Sequence, residues 1–92
     1  MIKSFKDKEA SKIFDGLHSK QYSNLQKVIK RKLDMLHYAR NEQDLTVPPS
    51  NNFEYLKRDL KGYCSIRIND QFRIVFKFKN GSAYDVQIMD YH

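Results

Sequence analysis

The C-terminal half of the chain combines basic, aromatic and titratable side chains of the kinds that bind and cleave RNA. Cleavage by internal attack needs a base for the 2′-hydroxyl, an acid for the departing 5′-oxygen and cations for the phosphoryl oxygens, and none of these requires a metal ion. Arginine suits the last task because its planar guanidinium donates two parallel hydrogen bonds to a phosphate. Histidine titrates near neutral pH, and this half contains one, His92, two residues after Asp90.

Three segments of this half, residues 62–68, 72–79 and 82–89, alternate apolar and polar side chains as half-buried strands do. Successive strand residues point to opposite faces, so each segment has one apolar side that we expect to be buried. The other side, which we call the site face, collects Tyr63, Ser65, Arg67, Arg73, Lys77, Gln87 and Met89. With Lys57, Arg58 and Lys61 just upstream, this predicts a basic groove in which aromatic rings can stack on bases.

Two arginines of the site face are predicted to lie directly opposite each other. Pairing the apolar sides of the first two segments places Ile66 beside Ile74 and Arg67 beside Arg73. Like charges opposite each other on a sheet are destabilising by up to ~1 kcal/mol. Both side chains are long enough to splay into water, but the interpretation we favour is that the two guanidinium groups face a bound anion.

The turn between the last two segments sets their register. A two-residue Asn80-Gly81 turn would pair apolar with polar residues, so we expect a bulged three-residue loop at 80–82. That loop pairs Phe78 with Tyr84, Phe76 with Val86 and Ile74 with Ile88. It also sets Lys77 opposite Asp85, as a surface ion pair.

The N-terminal half supplies the elements on which this sheet packs. A strand is predicted at 2–5, and Asp7 caps a helix at 8–15 that Gly16 ends. Ser23 and Gln26 form a capping-box pattern before a longer helix at 24–40. The charged back of that helix is either solvated or a phosphate- or partner-binding surface. Residues 41–52 form a loop and 53–56 a short strand. The fold class is α+β, with two N-terminal helices on a small, largely antiparallel twisted sheet in one domain, residues 1–92.

Composition narrows the class of partner. The chain has 92 residues and a formal net charge of +6, which favours association with nucleic acid. An anionic membrane is the alternative, but apolar stretches are short and the long helix is polar around most of its girth. The single cysteine, Cys64, excludes an internal disulfide and a multi-cysteine metal site. A free thiol and a polar N-terminus without a secretion signal predict a cytoplasmic protein.

Two motifs resemble a known family. Residues 62–74, Gly-Tyr-Cys-Ser-Ile-Arg-Ile-Asn-Asp-Gln-Phe-Arg-Ile, look like the central motif of HigB toxins in the RelE/ParE superfamily. The terminal Asp90-Tyr91-His92 is similar to the C-terminus of those toxins. The start at residues 1–5 and the Pro48-Pro49-Ser50-Asn51 loop also fit, so the resemblance extends over nearly the whole chain.

The resemblance implies the toxin of a type II toxin–antitoxin system, a ribosome-dependent endoribonuclease that cleaves mRNA in the ribosomal A site without a cofactor. It implies neutralisation by a HigA-type helix-turn-helix antitoxin, with operator DNA bound only through the antitoxin complex. By position, Arg73 matches the arginine that stabilises the transition state, and Lys57 matches a basic active-site residue. Asp90, Tyr91 and His92 match the terminal trio, with His92 as acid or base and Tyr91 as a stacking residue.

The chain departs from the family pattern at two positions. Asn69 stands where some members have arginine, and Arg67 is its candidate replacement. Arg58 stands where many members have glycine. Arg67, Arg58, Lys61, Tyr63 and Lys77 are the predicted RNA-binding residues. The alternative function is a non-catalytic RNA- or ribosome-binding module that uses the same groove.

Overall fold

In the computed structural model, which describes residues 1–91, two helices pack on one face of a four-stranded antiparallel sheet. The helices are α1 (Lys8–Phe14) and α2 (Gln26–Tyr38). The strands are β1 (Glu54–Tyr55), β2 (Cys64–Arg67), β3 (Phe72–Lys79) and β4 (Ser82–Asp90), in that order across the sheet. The predicted α+β class is confirmed. No helix within residues 1–91 is long and apolar enough to cross a membrane.

The core lies between α2 and the apolar side of the sheet. Ile29, Leu33 and Leu36 of α2 and Ile66 and Ile74 of the central strands are all completely buried. Each such side chain contributes roughly 1.5–3 kcal/mol on burial. This layer fixes which face of the sheet is left for the site.

Helix α1 begins as predicted. The Asp7 carboxylate accepts a 2.9 Å hydrogen bond from the backbone N–H of Glu9, which satisfies a helix donor that would otherwise lack a partner. Its other oxygen accepts a 3.0 Å bond from the backbone N–H of Ile88 in β4. Gly16 follows the helix with φ 83°. The Asp7 side chain therefore both caps α1 and connects it to β4.

The predicted capping box of α2 is wrong. Ser23 begins a short 3-10 turn, Ser23–Leu25, and α2 starts only at Gln26 without a side-chain cap. The Gln26 amide instead accepts a 2.8 Å bond from the backbone N–H of Ser19 and donates a 2.6 Å bond to the carbonyl of Leu17. Its side chain thus fixes the connection between the two helices.

The turn between β3 and β4 also differs from the prediction. Lys79 pairs with Ser82, so Asn80 and Gly81 form a two-residue turn with φ 52° and 78°. Positive φ at both positions is what the tightest hairpin turn requires, and Asn-Gly is its preferred sequence. The predicted three-residue loop at 80–82 is therefore wrong.

A β-bulge takes up the one-residue offset that the tight turn creates. Between the Val75–Gln87 and Lys77–Tyr84 pairs, Phe76 of β3 faces both Asp85 and Val86 of β4. Phe78 consequently pairs with Ala83 and not with Tyr84, so Ala83 is buried and Tyr84 is exposed. Beyond the bulge Ile74 pairs with Ile88, as predicted.

The predicted first strand is an extended segment rather than a full strand. Ile2 and Phe5 form isolated parallel bridges with Ala83 and Val86 of β4. The loop from 41 to 52 contains two 3-10 turns, Glu42–Thr46 and Pro49–Asn51, and buries Leu45 and Asn51 completely.

Candidate active site

Arg73 is a buried cation at the centre of the site face. Its side chain is only 7% exposed, and Nε donates a 2.7 Å hydrogen bond to the hydroxyl oxygen of Ser65. Nη2 donates to the backbone carbonyl of Asn52. Within residues 1–91 Nη1 has no hydrogen-bond partner, yet no unpartnered side-chain nitrogen there is fully buried. Two of the three guanidinium nitrogens thus anchor the group to the protein.

The C-terminal segment lies against Arg73. Strand β4 runs one residue further than predicted, so Asp90 pairs with Phe72 and the Asp90 carboxylate accepts a 3.1 Å bond from the side chain of Gln71. The backbone N–H of Tyr91 donates a 2.6 Å bond to the Gln71 carbonyl. This holds the Tyr91 ring 5.5 Å from the guanidinium carbon of Arg73, which is cation–π distance. His92, the predicted acid or base, lies outside the described residues.

The predicted pair of opposed arginines is present. Arg67 and Arg73 are Cα partners across β2 and β3. Their guanidinium groups have different partners: Arg67 forms an ion pair with Asp70 in the turn, while Arg73 bonds to Ser65 and Asn52. The Asp70 carboxylate offsets the like-charge repulsion, so an external anion is not needed to explain the pair.

A second contact between a cation and an aromatic ring lies along the site face. The Lys77 amino nitrogen is 5.0 Å from the centre of the Tyr63 ring and 3.9 Å from an Asp85 carboxylate oxygen. The predicted ion pair therefore forms even though the Cα partner of Lys77 is Tyr84. The site face thus carries two such contacts, one at Arg73 and one at Lys77.

The upstream basic residues lie at an exposed turn beside the sheet. Lys57, Arg58 and Lys61 are all exposed, and across the described chain their side chains have no hydrogen bond or ion pair. The structure therefore records no contact that brings Lys57 to Arg73. Arg58 has φ 58°, a backbone conformation that glycine adopts without strain.

Sequence reasoning missed one acidic residue of the site face. Glu54 of β1 is the Cα partner of Ser65, and directly opposed residues project to the same side of an antiparallel pair. Glu54 is exposed, so it is accessible from the surface. A strand of two residues has no alternation, which is why the sequence pattern did not reveal this position.

The described residues also bear on thiol and metal chemistry. Cys64 is buried, and burial raises the pKa of its thiol to about 11, so the thiolate is scarce at neutral pH. Among residues 1–91 no three His, Cys, Asp or Glu side chains are grouped so as to hold a metal ion.

Comparison with known proteins places this arrangement in a family. The sequence model of one protein family, described as the RelE-like toxin of type II toxin–antitoxin system HigB, matches residues 3–92. Toxin HigB-1 of Vibrio cholerae is 39% identical over 90 residues, covering 96% of this chain and 95% of that protein. A Proteus vulgaris protein named Endoribonuclease HigB is 49% identical over 37 residues, 40% of each chain.

Solved structures agree on the fold. The crystal structure of YafQ from Escherichia coli superposes with a TM-score of 0.64 at 13% identity, covering 98% of this chain and 91% of YafQ. A YoeB–YefM toxin–antitoxin complex from Staphylococcus aureus gives a TM-score of 0.60 at 23% identity, covering 100% of this chain and 95% of the matched chain. The chain belongs to the HigB family of RelE-like toxins of type II toxin–antitoxin systems.

Proposed function

We propose that this toxin is a ribosome-dependent endoribonuclease that cleaves mRNA in the ribosomal A site and so inhibits translation. The observation that carries the proposal is the anchored guanidinium of Arg73, which bonds through Nε and Nη2 to Ser65 and Asn52 and lies 5.5 Å from the Tyr91 ring. A cation held in place in this way stabilises charge that develops on phosphoryl oxygens. The Proteus vulgaris relative named Endoribonuclease HigB supports ribonuclease activity.

In the proposed reaction the 2′-oxygen attacks the adjacent phosphorus and the bond from phosphorus to the 5′-oxygen breaks. The products are a 2′,3′-cyclic phosphate and a 5′-hydroxyl. Arg73 stabilises the phosphoryl oxygens, and Tyr91 fixes its guanidinium and stacks on a base. No metal ion or other cofactor takes part.

Proton transfer is assigned to His92 and Glu54. His92 protonates the departing 5′-oxygen, and Asp90 orients its ring. The Glu54 carboxylate, on the same face as Ser65, takes the proton of the 2′-hydroxyl. The remaining basic and aromatic residues hold the RNA backbone and flanking bases: Lys57, Arg58, Lys61, Tyr63, Arg67 and Lys77.

The partner that restrains this activity is proposed to be a HigA-type helix-turn-helix antitoxin in the cytoplasm. Toxin–antitoxin complexes of YoeB with YefM have a toxin chain of the same fold. Operator DNA is bound only through the antitoxin complex.

The test is cleavage by the purified protein of mRNA that is either free or positioned on ribosomes. We expect cut products only with ribosomes, each pair carrying a 2′,3′-cyclic phosphate and a 5′-hydroxyl. Arg73→Ala should lower the cleavage rate at least a hundredfold. Arg73→Lys should restore little of that rate, because lysine lacks the planar guanidinium that donates two parallel hydrogen bonds. Ribosome binding without any cleavage would contradict the proposal and support the alternative, a non-catalytic module in the same groove.

A further inference from the structure

Helix α2 carries a lysine on its buried face. Lys32 is 6% exposed and lies on the side of the helix that also buries Ile29, Leu33 and Leu36. Burial, and then repulsion by Arg31 and Arg67, lower the pKa of its amino group. Within residues 1–91 no carboxylate pairs with Lys32, and its amino group donates instead to the side-chain oxygen of Asn51. Burying an amino group costs free energy unless it is hydrogen-bonded or paired, so the stability of this position depends on the contact with Asn51.

Asn51, which accepts the bond from Lys32, ends the 3-10 turn Pro49–Asn51 and makes several contacts of its own. It is completely buried, and its amide nitrogen donates to the carbonyl of Leu45 at 3.0 Å and approaches the Val47 carbonyl at 3.4 Å. The same nitrogen lies 3.1 Å from the sulfur of Met35, one helical turn after Lys32. Both ends of the Asn51 amide are therefore held, which fixes the orientation of the turn against α2.

The next residue connects this turn to the active site. Asn52 has a left-handed backbone, with φ 44° and ψ 54°, and its carbonyl oxygen accepts the hydrogen bond from Nη2 of Arg73. A continuous chain of contacts thus runs from Lys32 through Asn51 and Asn52 to the guanidinium of Arg73.

We propose that Lys32 is a positioning residue for Arg73, which it holds through the Asn51–Asn52 turn without touching RNA. The proposal rests on the proposed function for the role of Arg73, but the link between the two residues stands on the contacts alone. When the Lys32 contact is lost, the side-chain oxygen of Asn51 loses its donor, so the turn can shift and the Asn52 carbonyl can move away from Nη2 of Arg73. A displacement of about 1 Å in a catalytic group costs on the order of a hundredfold in rate.

The test compares Lys32→Met with Lys27→Met, which removes an exposed lysine of the same helix. The first readout is the NMR signal of the Arg73 Nε–H and its exchange with water, recorded beside the backbone N–H of Ile74. We expect Lys32→Met to speed Arg73 Nε–H exchange at least tenfold, because a guanidinium without the Asn52 anchor opens its bond to Ser65 more often. Ile74 should stay protected, and Lys27→Met should change neither signal. Lys32→Arg, which keeps a donor, should retain a protected Arg73 signal even if Lys32→Met fails to fold.

The second readout is single-turnover cleavage on ribosomes in a double-mutant cycle. Lys32→Met should slow cleavage 10- to 100-fold in the wild-type background and less than twofold in the Arg73→Ala background, because its effect passes through Arg73. Equal losses in both backgrounds, or an unchanged Arg73 signal in folded Lys32→Met, would overturn the proposal. If the wild-type protein cleaves nothing, the proposed function fails while the Arg73 signal still decides the role of Lys32.

Discussion

The Nε atom of Arg73 and the hydroxyl oxygen of Ser65 are joined by a 2.7 Å hydrogen bond across the two central strands. Ser65 is completely buried and Arg73 nearly so. The bond runs diagonally, because the Cα partner of Ser65 is Val75 and that of Arg73 is Arg67. It fixes the guanidinium of Arg73 to the neighbouring strand β2.

Removing the Ser65 hydroxyl should disturb Arg73 without removing it. Ser65→Ala leaves a buried charged N–H without an acceptor, which costs about 1–3 kcal/mol of unfolding free energy. We expect cleavage to fall about tenfold because the guanidinium loses one of its two anchors. Urea unfolding and single-turnover cleavage measure the two effects. The control Ser82→Ala, at the β3–β4 turn, should change neither, and full activity of Ser65→Ala would argue against the anchoring role.

The ring of Tyr91 is predicted to matter more than its hydroxyl. The ring lies 5.5 Å from the Arg73 guanidinium carbon, and such a contact is worth about 0.5–2 kcal/mol. Tyr91→Phe should therefore retain cleavage within about threefold, whereas Tyr91→Ala should lose at least tenfold. Comparable losses in both variants would show instead that the hydroxyl takes part in the chemistry.

Arg58 should be a site where glycine stabilises the fold. Its φ of 58° costs about 1–2 kcal/mol for a residue with a Cβ atom. Arg58→Gly and Arg58→Ala remove the same charge, but only glycine relieves the backbone. We expect the glycine variant to be about 1 kcal/mol more stable than the alanine variant in urea unfolding. Equal stabilities would contradict the left-handed backbone at this residue.

Cys64 should lower the free energy of unfolding of the protein at alkaline pH. Burial raises the pKa of its thiol to about 11 from an ordinary value of 9.0. Between these values the unfolded chain releases the thiol proton while the folded chain keeps it, so stability falls as pH rises through this window. Relative to Cys64→Ala, the wild-type protein should lose roughly 2 kcal/mol of unfolding free energy between pH 8.5 and 10.5. If the unfolding free energies of the two proteins changed with pH in the same way, the raised pKa of the Cys64 thiol would be refuted.

The site face was predictable because strand periodicity allows one register around the first turn. A slip of one residue would have exposed Ile66 and Ile74, so the Arg67–Arg73 pairing followed from the apolar pattern alone. The side-chain partners did not follow. Asp70, which pairs with Arg67, and Asn52, which accepts from Arg73, lie in turns whose backbone the sequence pattern does not specify.

The β3–β4 hairpin shows where two local signals conflict and both are satisfied. The apolar pattern required an odd number of unpaired residues between β3 and β4, whereas Asn80-Gly81 favours a turn of two residues. The chain meets both by moving the extra residue to a bulge at Asp85, where φ is 54°. The predicted loop at 80–82 therefore paired Phe78 with the wrong residue, whereas the predicted pairing of Ile74 with Ile88 is confirmed.

Lys32 could be located from the sequence but not explained by it. In the sequence, Lys32 interrupts a helical stripe that is otherwise apolar. Its partner Asn51 lies 19 residues away, in a loop whose composition predicts only that it is irregular. Only the three-dimensional structure shows that loop packed against α2 and beside Arg73.

The most direct test of the central claim is to map mRNA 5′ ends in cells that express the toxin, with translation either active or blocked. We expect new ends at codon-defined positions only while translation is active, and none with Arg73→Ala produced at the same level. New ends that persist when translation is blocked, or that form equally with Arg73→Ala, would contradict it.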